Sequence, residues 1–155
     1  MYLEVDEPFM DLAIEEAQKA QEAGEVPVGA VIVSNGVVIA RGFNQPIRLH
    51  DATAHAEIAV IREACLRQAN YRLSTATIYC TVEPCMMCAG AMIHARIARL
   101  VFGALDPKAG SAGSIYNVLT DPRLNHRVKV VPGVCQAECS ALLRDFFSRR
   151  RKILE

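Results

Sequence analysis

Residues 81–93 read T-V-E-P-C-M-M-C-A-G-A-M-I, a stretch in which a predicted β strand gives way to a predicted α helix. Pro84 suits the first position of this helix, so Cys85 and Cys88 are expected within one turn on the same side. Unpaired N–H groups and the positive end of the helix dipole favour the thiolate form of cysteine there. The pair could therefore bind a metal, form a redox disulfide or pack in a core.

Hydrophobic periodicity on either side of this stretch predicts alternating helices and strands. The predicted helices cover residues 6–24, 54–69, 85–95 and 138–152, with a short helical piece near 115–120. The predicted strands cover residues 28–33, 37–40, 76–81, 99–103 and 127–131, with a hairpin at Ser34-Asn35-Gly36. Residues 43–53 and 106–114 are expected to be loops. This order predicts an α/β fold, a sandwich of about five strands with helices on both faces.

The chain has 155 residues, and neither an internal repeat nor a flexible linker divides it. We therefore expect a single domain over residues 1–155. The longest nearly apolar stretch, at 26–33, is far shorter than the roughly 18 residues that a membrane helix needs. The N-terminus M-Y-L-E-V-D-E-P carries acids where a signal peptide carries bases, so a cytoplasmic protein with no membrane association is expected.

Charge is unevenly distributed along the chain although the net charge is zero. Residues 1–40 hold eight acids and one base, whereas residues 41–155 hold sixteen bases and nine acids. Two interpretations remain open, namely solvated helix faces of opposite sign or a basic surface for a polyanion such as nucleic acid.

The cysteines are expected to be thiols or metal ligands, because disulfides are disfavoured in the cytoplasm. There are six of them, at positions 65, 80, 85, 88, 135 and 139. Cys135 and Cys139 could complete a structural four-cysteine site with the first pair, although their spacing is atypical. A better partner lies in T-A-H-A-E-I at 53–58, where His55 and Glu57 open a predicted helix.

One imidazole and two thiolates would balance Zn²⁺ to a neutral complex and leave its fourth position open, as in catalytic zinc sites. His55 would supply the imidazole. Glu57 lies too close to His55 in sequence to be an obvious ligand, but it is well placed to reach a water at the open position.

H-A-E followed by P-C-x-x-C resembles the signature by which zinc-dependent nucleobase deaminases are recognised. The resemblance is closest to the bacterial tRNA adenosine deaminases of the TadA type and runs over nearly the whole chain. The matching segments are E-V-P-V-G-A at 25–30, G-F-N-Q-P at 42–46, H-D-A-T-A-H-A-E at 50–57, N-Y-R-L at 70–73, P-C-M-M-C-A-G-A-M-I-H at 84–94, D-P-K-A-G at 106–110, N-H-R-V at 125–128 and D-F-F-x-R-R at 145–150. The departures are Leu105, where the family often has arginine or proline, and Ser111, where alanine is common.

The resemblance implies a fold, an activity and a cofactor. The fold is a three-layer α/β/α sandwich with a central mixed sheet, similar to that of cytidine deaminase. The activity is hydrolytic conversion of the wobble adenosine of a tRNA anticodon, usually of an arginine tRNA, to inosine by a homodimer. The cofactor is one Zn²⁺ per chain, bound by His55, Cys85 and Cys88, with Glu57 as the catalytic proton shuttle.

The resemblance also implies a set of substrate contacts, each with a plainer alternative. They are Asn44, Asp106, Lys108, Phe147, Arg149 and Arg150. Asn44 and Asp106 could instead form turns beside prolines. Lys108 could be a solvated charge, and the two arginines could serve the dipole at a helix C-terminus. Phe146 and Phe147 occupy adjacent helical positions and cannot both face one way, so one is expected in the core and the other to stack on a base or seal the pocket.

Two other functions remain open from the sequence. The first is a deaminase of free nucleobases or nucleosides, of the guanine or cytidine type, which would share the zinc motifs. The second is a zinc-stabilised RNA-binding or partner module without activity. The presence of Glu57 speaks against that module, because binding alone needs no proton shuttle.

Overall fold

The computed structural model describes residues 5–154, so the first four residues of the acidic N-terminus, used above to predict the absence of a signal peptide, lie outside it. Its strands are β1 (Gly29–Ser34), β2 (Val37–Phe43), β3 (Ala76–Val82), β4 (Arg99–Ala104) and β5 (Lys129–Val131). Its helices are α1 (Asp6–Glu22), α2 (Pro46–Leu49), α3 (Ala56–Gln68), α4 (Met86–His94) and α5 (Gln136–Leu154). None of these helices is both long and apolar enough to cross a membrane.

The five strands form one mixed sheet in the spatial order β2-β1-β3-β4-β5. β1 pairs antiparallel with β2 and β3, whereas β3, β4 and β5 run parallel. The β1–β2 hairpin turns at Asn35 and Gly36, whose φ angles are 51° and 77°. Positive φ at both positions is typical of the tight hairpin turn that Asn-Gly favours, which confirms the predicted hairpin.

Helices cover both faces of the sheet, because its strands are apolar on both sides. In β1, Ala30 and Ile32 join the core beneath α3 and α4, which contribute Val60 and Met92. The intervening residues of β1 pack instead with Met10 of α1 and with α5. Successive side chains of a strand point to opposite faces, so one strand supplies two cores. The predicted three-layer α/β/α sandwich is confirmed.

Helix α1 lies unusually close to the sheet at Gly29. A Cβ atom there would be 2.0 Å from the carbonyl oxygen of Ala13, so no larger residue fits without moving the helix. A buried ion pair fixes the start of the same helix, because Asp6 accepts two hydrogen bonds from Arg99, at 2.8 and 2.6 Å, and a third from Tyr79 Oη at 2.8 Å.

The charge asymmetry of the sequence is partly resolved within the fold. Asp6 pairs with Arg99, and Glu16 of the same acidic helix lies 3.3 Å from Arg41. Acids of the first forty residues thus contact bases of the remainder. Both acids are buried, so these two form internal ion pairs and not the solvated face of the first interpretation. The exposed bases elsewhere in the chain are left for other partners.

Some predicted elements differ from the structure. The prediction of a short helix near 115–120 was wrong, because the chain folds back there and forms an isolated antiparallel β-bridge between Ala112 and Asn117. The loop predicted at 43–53 contains the single turn α2. β2 runs three residues further than predicted, and β5 is two residues shorter. Pro84 precedes the first residue of α4 by two positions instead of occupying it.

Candidate active site

The starts of α3 and α4 bring together a histidine and two cysteines. The cysteines follow the histidine by 30 and 33 residues in the sequence. His55 is the N-cap residue of α3, Cys85 is the N-cap residue of α4, and Cys88 lies in the first turn of α4. Both N-cap residues have extended backbone, and neither side chain caps its own helix. The imidazole and both thiols are therefore free to face one another.

The distances within this cluster suit zinc. His55 Nδ1 lies 3.6 Å from Cys85 Sγ and 3.4 Å from Cys88 Sγ. All three ligand atoms lie within 4.8 Å of one another. A tetrahedral zinc with its usual bond lengths separates nitrogen and sulfur ligands by about 3.6 Å. The donor set and its spacing therefore fit a zinc ion, whereas Cys135 and Cys139 join no such cluster among residues 5–154.

The electrostatics of the cluster favour one thiolate even without a metal. A hydrogen bond from Cys88, and a further one from His55, lower the pKa of Cys85 to about 4. The same pair raises the pKa of Cys88, which donates its proton to Cys85 and is fully buried. The hydrogen bond to Cys85 also raises the pKa of His55. Binding of a metal cation would displace the protons that these three side chains share, since metals need deprotonated ligands.

Glu57 is buried beside the cluster, with 3% of its surface exposed. Burial raises the pKa of its carboxyl, and the charges of His55 and Cys85 act on it in opposite directions. No residue among 5–154 donates a hydrogen bond to its Oε1 atom. A buried, unpartnered carboxylate oxygen is costly, and such groups are retained where they meet a ligand or carry out chemistry.

Asn44 lies next to the start of α3 and is only partly accessible. Its Oδ1 atom accepts a hydrogen bond of 2.9 Å from the N–H of Ala56, which fixes the orientation of the amide. The two N–H donors of the amide then remain for other partners. Sequence reasoning offered a turn as the alternative role, and the structure adds a third role, support of the helix that carries Glu57.

A groove of about 540 Å³ contains three of the candidate RNA contacts, Asp106, Lys108 and Phe147. Arg151 also lines it, whereas Arg149 and Arg150 are not among its lining residues. The Arg150 guanidinium lies instead 5.4 Å from the centre of the Phe146 ring. Of the adjacent phenylalanines, Phe147 is the more exposed, at 43%.

Sequence reasoning missed two buried carboxylates that hold loops near the site. Glu25 accepts hydrogen bonds from the N–H groups of Ile47 and Arg48, at 3.1 and 2.7 Å, in the single turn α2 that follows Asn44. Glu83 accepts four from the loop at 106–114. The available signal was an acid inside an otherwise apolar stretch, as in T-V-E-P-C. The apolar floor of the groove was also missed, because its residues come from distant segments, namely Val26, Val28, Val82 and Leu143.

Comparison with known proteins points to the same chemistry. The family model of the cytidine and deoxycytidylate deaminase zinc-binding region matches residues 3–104. The chain is 50% identical over 147 residues to the tRNA-specific adenosine deaminase of Bacillus subtilis, which covers 95% of this chain and 91% of that protein. It is 48% identical over 150 residues to the protein of the same name in Haemophilus influenzae, covering 96% and 87% respectively.

A solved structure from a study of A-to-I editing by tRNA deaminases at the wobble position of transfer RNA has a similar fold. The TM-score is 0.85 at 48% sequence identity, over 88% of this chain and 99% of that chain. The similarity to these proteins extends past residue 104, where the match to the zinc-binding region ends.

Proposed function

The chain belongs to the cytidine and deoxycytidylate deaminase family of zinc-binding proteins, and on that premise we propose that it converts the wobble adenosine of a tRNA anticodon to inosine. The observation that carries this proposal is the similarity to tRNA-specific adenosine deaminases over 95% of the chain. A match of 147 residues includes the loop at 106–114 and most of α5, which lie beyond the zinc-binding region and contribute residues to the groove. The reaction is the hydrolysis of an amidine C–N bond, and the whole chain acts as one deaminase domain.

One Zn²⁺ per chain is held by His55 Nδ1 and by the thiolates of Cys85 and Cys88. The observed spacing of these atoms and the positive end of the α4 dipole support this assignment. Three protein ligands leave one position open, which distinguishes a catalytic from a structural site. When bound, zinc supplies a Lewis acid that lowers the pKa of water to about 7.

Glu57 carries the protons of the reaction. Its carboxylate takes one proton from the attacking water and delivers it to the adenine ring as oxygen adds to C6. It then takes the second proton from the new C6 hydroxyl and delivers it to the amino group, so that the C6–N bond breaks and ammonia leaves. Adenosine and water are thereby converted to inosine and ammonia. The burial of Glu57 supports this role, because burial keeps the carboxyl from exchanging protons freely with solvent.

The substrate enters as a base turned out of the anticodon loop. A wobble base already lies in a single-stranded loop, so turning it out costs less than opening a duplex. The free N–H donors of Asn44 are suited to the edge or ribose of that nucleoside. Phe147, exposed in the groove, offers a ring on which a neighbouring base can stack.

Asp106 is expected to favour RNA over DNA. Its Oδ1 atom accepts hydrogen bonds from the N–H groups of Lys108 and Ala109, at 3.0 and 3.1 Å. An acid beside phosphates is unfavourable unless it accepts a hydrogen bond, and a ribose 2′-hydroxyl is a suitable donor. We expect Asp106→Asn to narrow the difference in kcat/KM between an RNA stem-loop and its DNA counterpart. An unchanged ratio would leave Asp106 with its turn-forming role alone.

The basic end of α5 is expected to act on binding and not on chemistry. Changing Arg149, Arg150 and Arg151 to glutamine should raise KM for tRNA and flatten its salt dependence, by about 0.7 in the log–log slope per lost phosphate contact. Saturating turnover should stay close to wild type. Of the three single substitutions, Arg151→Gln should raise KM the most, because Arg151 alone of the three lines the groove.

Melting temperature is the control for this triple variant. Cations at a helix C-terminus also stabilise the helix through its dipole. A lower melting temperature with an unchanged salt slope would give these arginines a structural role only.

We further propose that the enzyme is a cytoplasmic homodimer whose tRNA is an arginine tRNA. An apolar face on α3 and the segment after it supports the dimer, since Leu66 and Tyr71 are 82% and 70% exposed. Ile58, Ile61, Cys65 and Ala91 continue this face. A second copy of the chain would cover it through a self-complementary contact, as in most symmetric dimers.

The proposed function is tested by incubating the purified protein with total tRNA and sequencing for A-to-I changes. Conversion confined to the wobble position of one or a few tRNAs is the expected result. Conversion of free guanine, cytidine or adenosine in parallel reactions, without conversion of tRNA, would instead identify a deaminase of free bases or nucleosides. Binding of tRNA without any conversion would identify the inactive module.

A further inference from the structure

We propose that Glu83 is a positioning residue that holds the loop at 106–114 beside the zinc ligands and thereby sets the preference for a ribose substrate. This inference rests on the proposed function. Glu83 lies between β3 and α4, two residues before Cys85, and only 2% of its surface is exposed. It is not itself among the residues that line the groove.

Within residues 5–154, all the hydrogen bonds to the Glu83 carboxylate come from this one loop. Oε1 accepts from the N–H of Asp106 at 3.0 Å and from the hydroxyl of Ser114 at 2.5 Å. Oε2 accepts from the N–H groups of Ala112 and Ser114, each at 3.0 Å. A carboxylate has about four lone-pair positions, so these four bonds use its whole capacity. The loop is thus wrapped around a single buried charge.

The loop also fits closely against Glu83. At Gly110 a Cβ atom would lie 2.4 Å from the carboxylate carbon and 2.5 Å from the carbonyl oxygen of Asp106. The next residue, Ser111, donates its N–H to the carbonyl of Pro84 at 2.8 Å. The loop is therefore fastened to both residues that immediately precede Cys85, and its position is tied to that of a zinc ligand.

This attachment bears directly on the proposed substrate contact. Glu83 fixes the backbone N–H of Asp106, and the side chain of Asp106 then fixes the turn that follows through its Oδ1 atom. None of residues 5–154 donates a hydrogen bond to the other carboxylate oxygen of Asp106, Oδ2, which is left for a donor of the substrate. Where that oxygen stands relative to the zinc site depends on Glu83.

Replacing Glu83 with glutamine tests the attachment with little change in volume. The amide nitrogen of glutamine is a donor, so it faces loop N–H groups that had an acceptor. We expect kcat/KM for an anticodon stem-loop RNA to fall by about 10- to 100-fold, as for lost hydrogen bonds to a charged group. The loss should be smaller for a DNA stem-loop of the same sequence, measured with enzyme in excess, and the zinc content should be unchanged.

A double-mutant cycle with Asp106→Asn separates positioning from general destabilisation. If Glu83 acts through Asp106, the second substitution should cost much less in the Glu83→Gln background than in wild type. A purely structural role would lower the melting temperature without such coupling.

Two further variants serve as control and backup. Glu16→Gln changes another buried carboxylate, on α1, which pairs with Lys19 of the same helix and with Arg41 of β2. It should leave the ratio of RNA to DNA activity unchanged. Ser114→Ala removes one of the four bonds from an exposed residue, so the fold should survive. It should lower the ratio of kcat/KM for RNA to kcat/KM for DNA, as Glu83→Gln does, but by a smaller factor.

The inference is overturned if folded, zinc-loaded Glu83→Gln keeps the wild-type ratio, or if its effect and that of Asp106→Asn simply multiply. Should Glu83→Gln fail to fold, a wild-type ratio in Ser114→Ala overturns it. These failures differ from failure of the proposed function, in which the wild-type protein itself would not convert tRNA.

Discussion

Cys88→Ser is expected to lose its zinc and much of its stability. Cys88 is fully buried in the first turn of α4, and its sulfur lies 3.4 Å from His55 Nδ1. A serine hydroxyl is not deprotonated near neutral pH and cannot replace a thiolate ligand. Zinc binding is worth about 10–16 kcal/mol in small structural zinc domains, so loss of the ion is costly to folding. Metal analysis should find about one zinc per chain in wild type and almost none in the variant.

Cys139→Ser is the matched control for this experiment. Cys139 is equally buried, with 1% of its surface exposed, but it lies on α5 and packs against the other face of the sheet. The Cys139→Ser variant should keep its zinc, even if burying a serine hydroxyl there lowers its stability. Normal zinc content in Cys88→Ser, together with loss of zinc from Cys135→Ser, would move the metal site elsewhere.

Glu57→Ala is expected to keep both fold and zinc yet lose nearly all turnover. The substitution removes the side chain that we propose carries the protons, and it leaves His55, Cys85 and Cys88 in place. It also removes a buried carboxylate oxygen to which no described residue donates a hydrogen bond, so loss of that oxygen costs the fold no hydrogen bond. General acid–base catalysis is worth about 10²–10⁴-fold, and a carboxylate that serves several proton transfers is expected at the upper end of that range.

Glu57→Gln sharpens the test, because it preserves the shape of the side chain and cannot carry a proton. Both variants should fail alike in single-turnover assays on an anticodon stem-loop. If either deaminates within about threefold of wild type, Glu57 is not the proton shuttle.

Much of the fold could be predicted because its signals are local. Pro8 and Gly24 mark the ends of α1, Asn35-Gly36 marks the hairpin, and β-branched runs mark the strands. The helix predicted near 115–120 failed for a reason that is not local. Glu83 accepts hydrogen bonds from the N–H groups of Ala112 and Ser114, which lie 29 and 31 residues further along the chain. These bonds stabilise a folded-back loop instead of a helix.

The candidate site could be predicted only in part. The spacing of Cys85 and Cys88 indicates a ligand pair, whereas the approach of His55 depends on the sheet order that places α3 beside α4. The groove requires α5 to dock near the loop at 106–114, so Leu143 carried no signal in sequence. Arg149, Arg150 and Arg151 looked equivalent in the sequence, and only the helical geometry places Arg151 alone in the groove.

The most direct test of the central claim is the fate of the wobble base in isotopically labelled water. A stem-loop with a single adenosine, at the wobble position, is incubated with the zinc-loaded protein in water enriched in ¹⁸O, and its nucleosides are analysed by mass spectrometry. Hydrolytic deamination predicts inosine whose C6 oxygen carries the label, and Glu57→Ala should form almost none in the same time. Unchanged adenosine, or inosine without the label, would contradict the account.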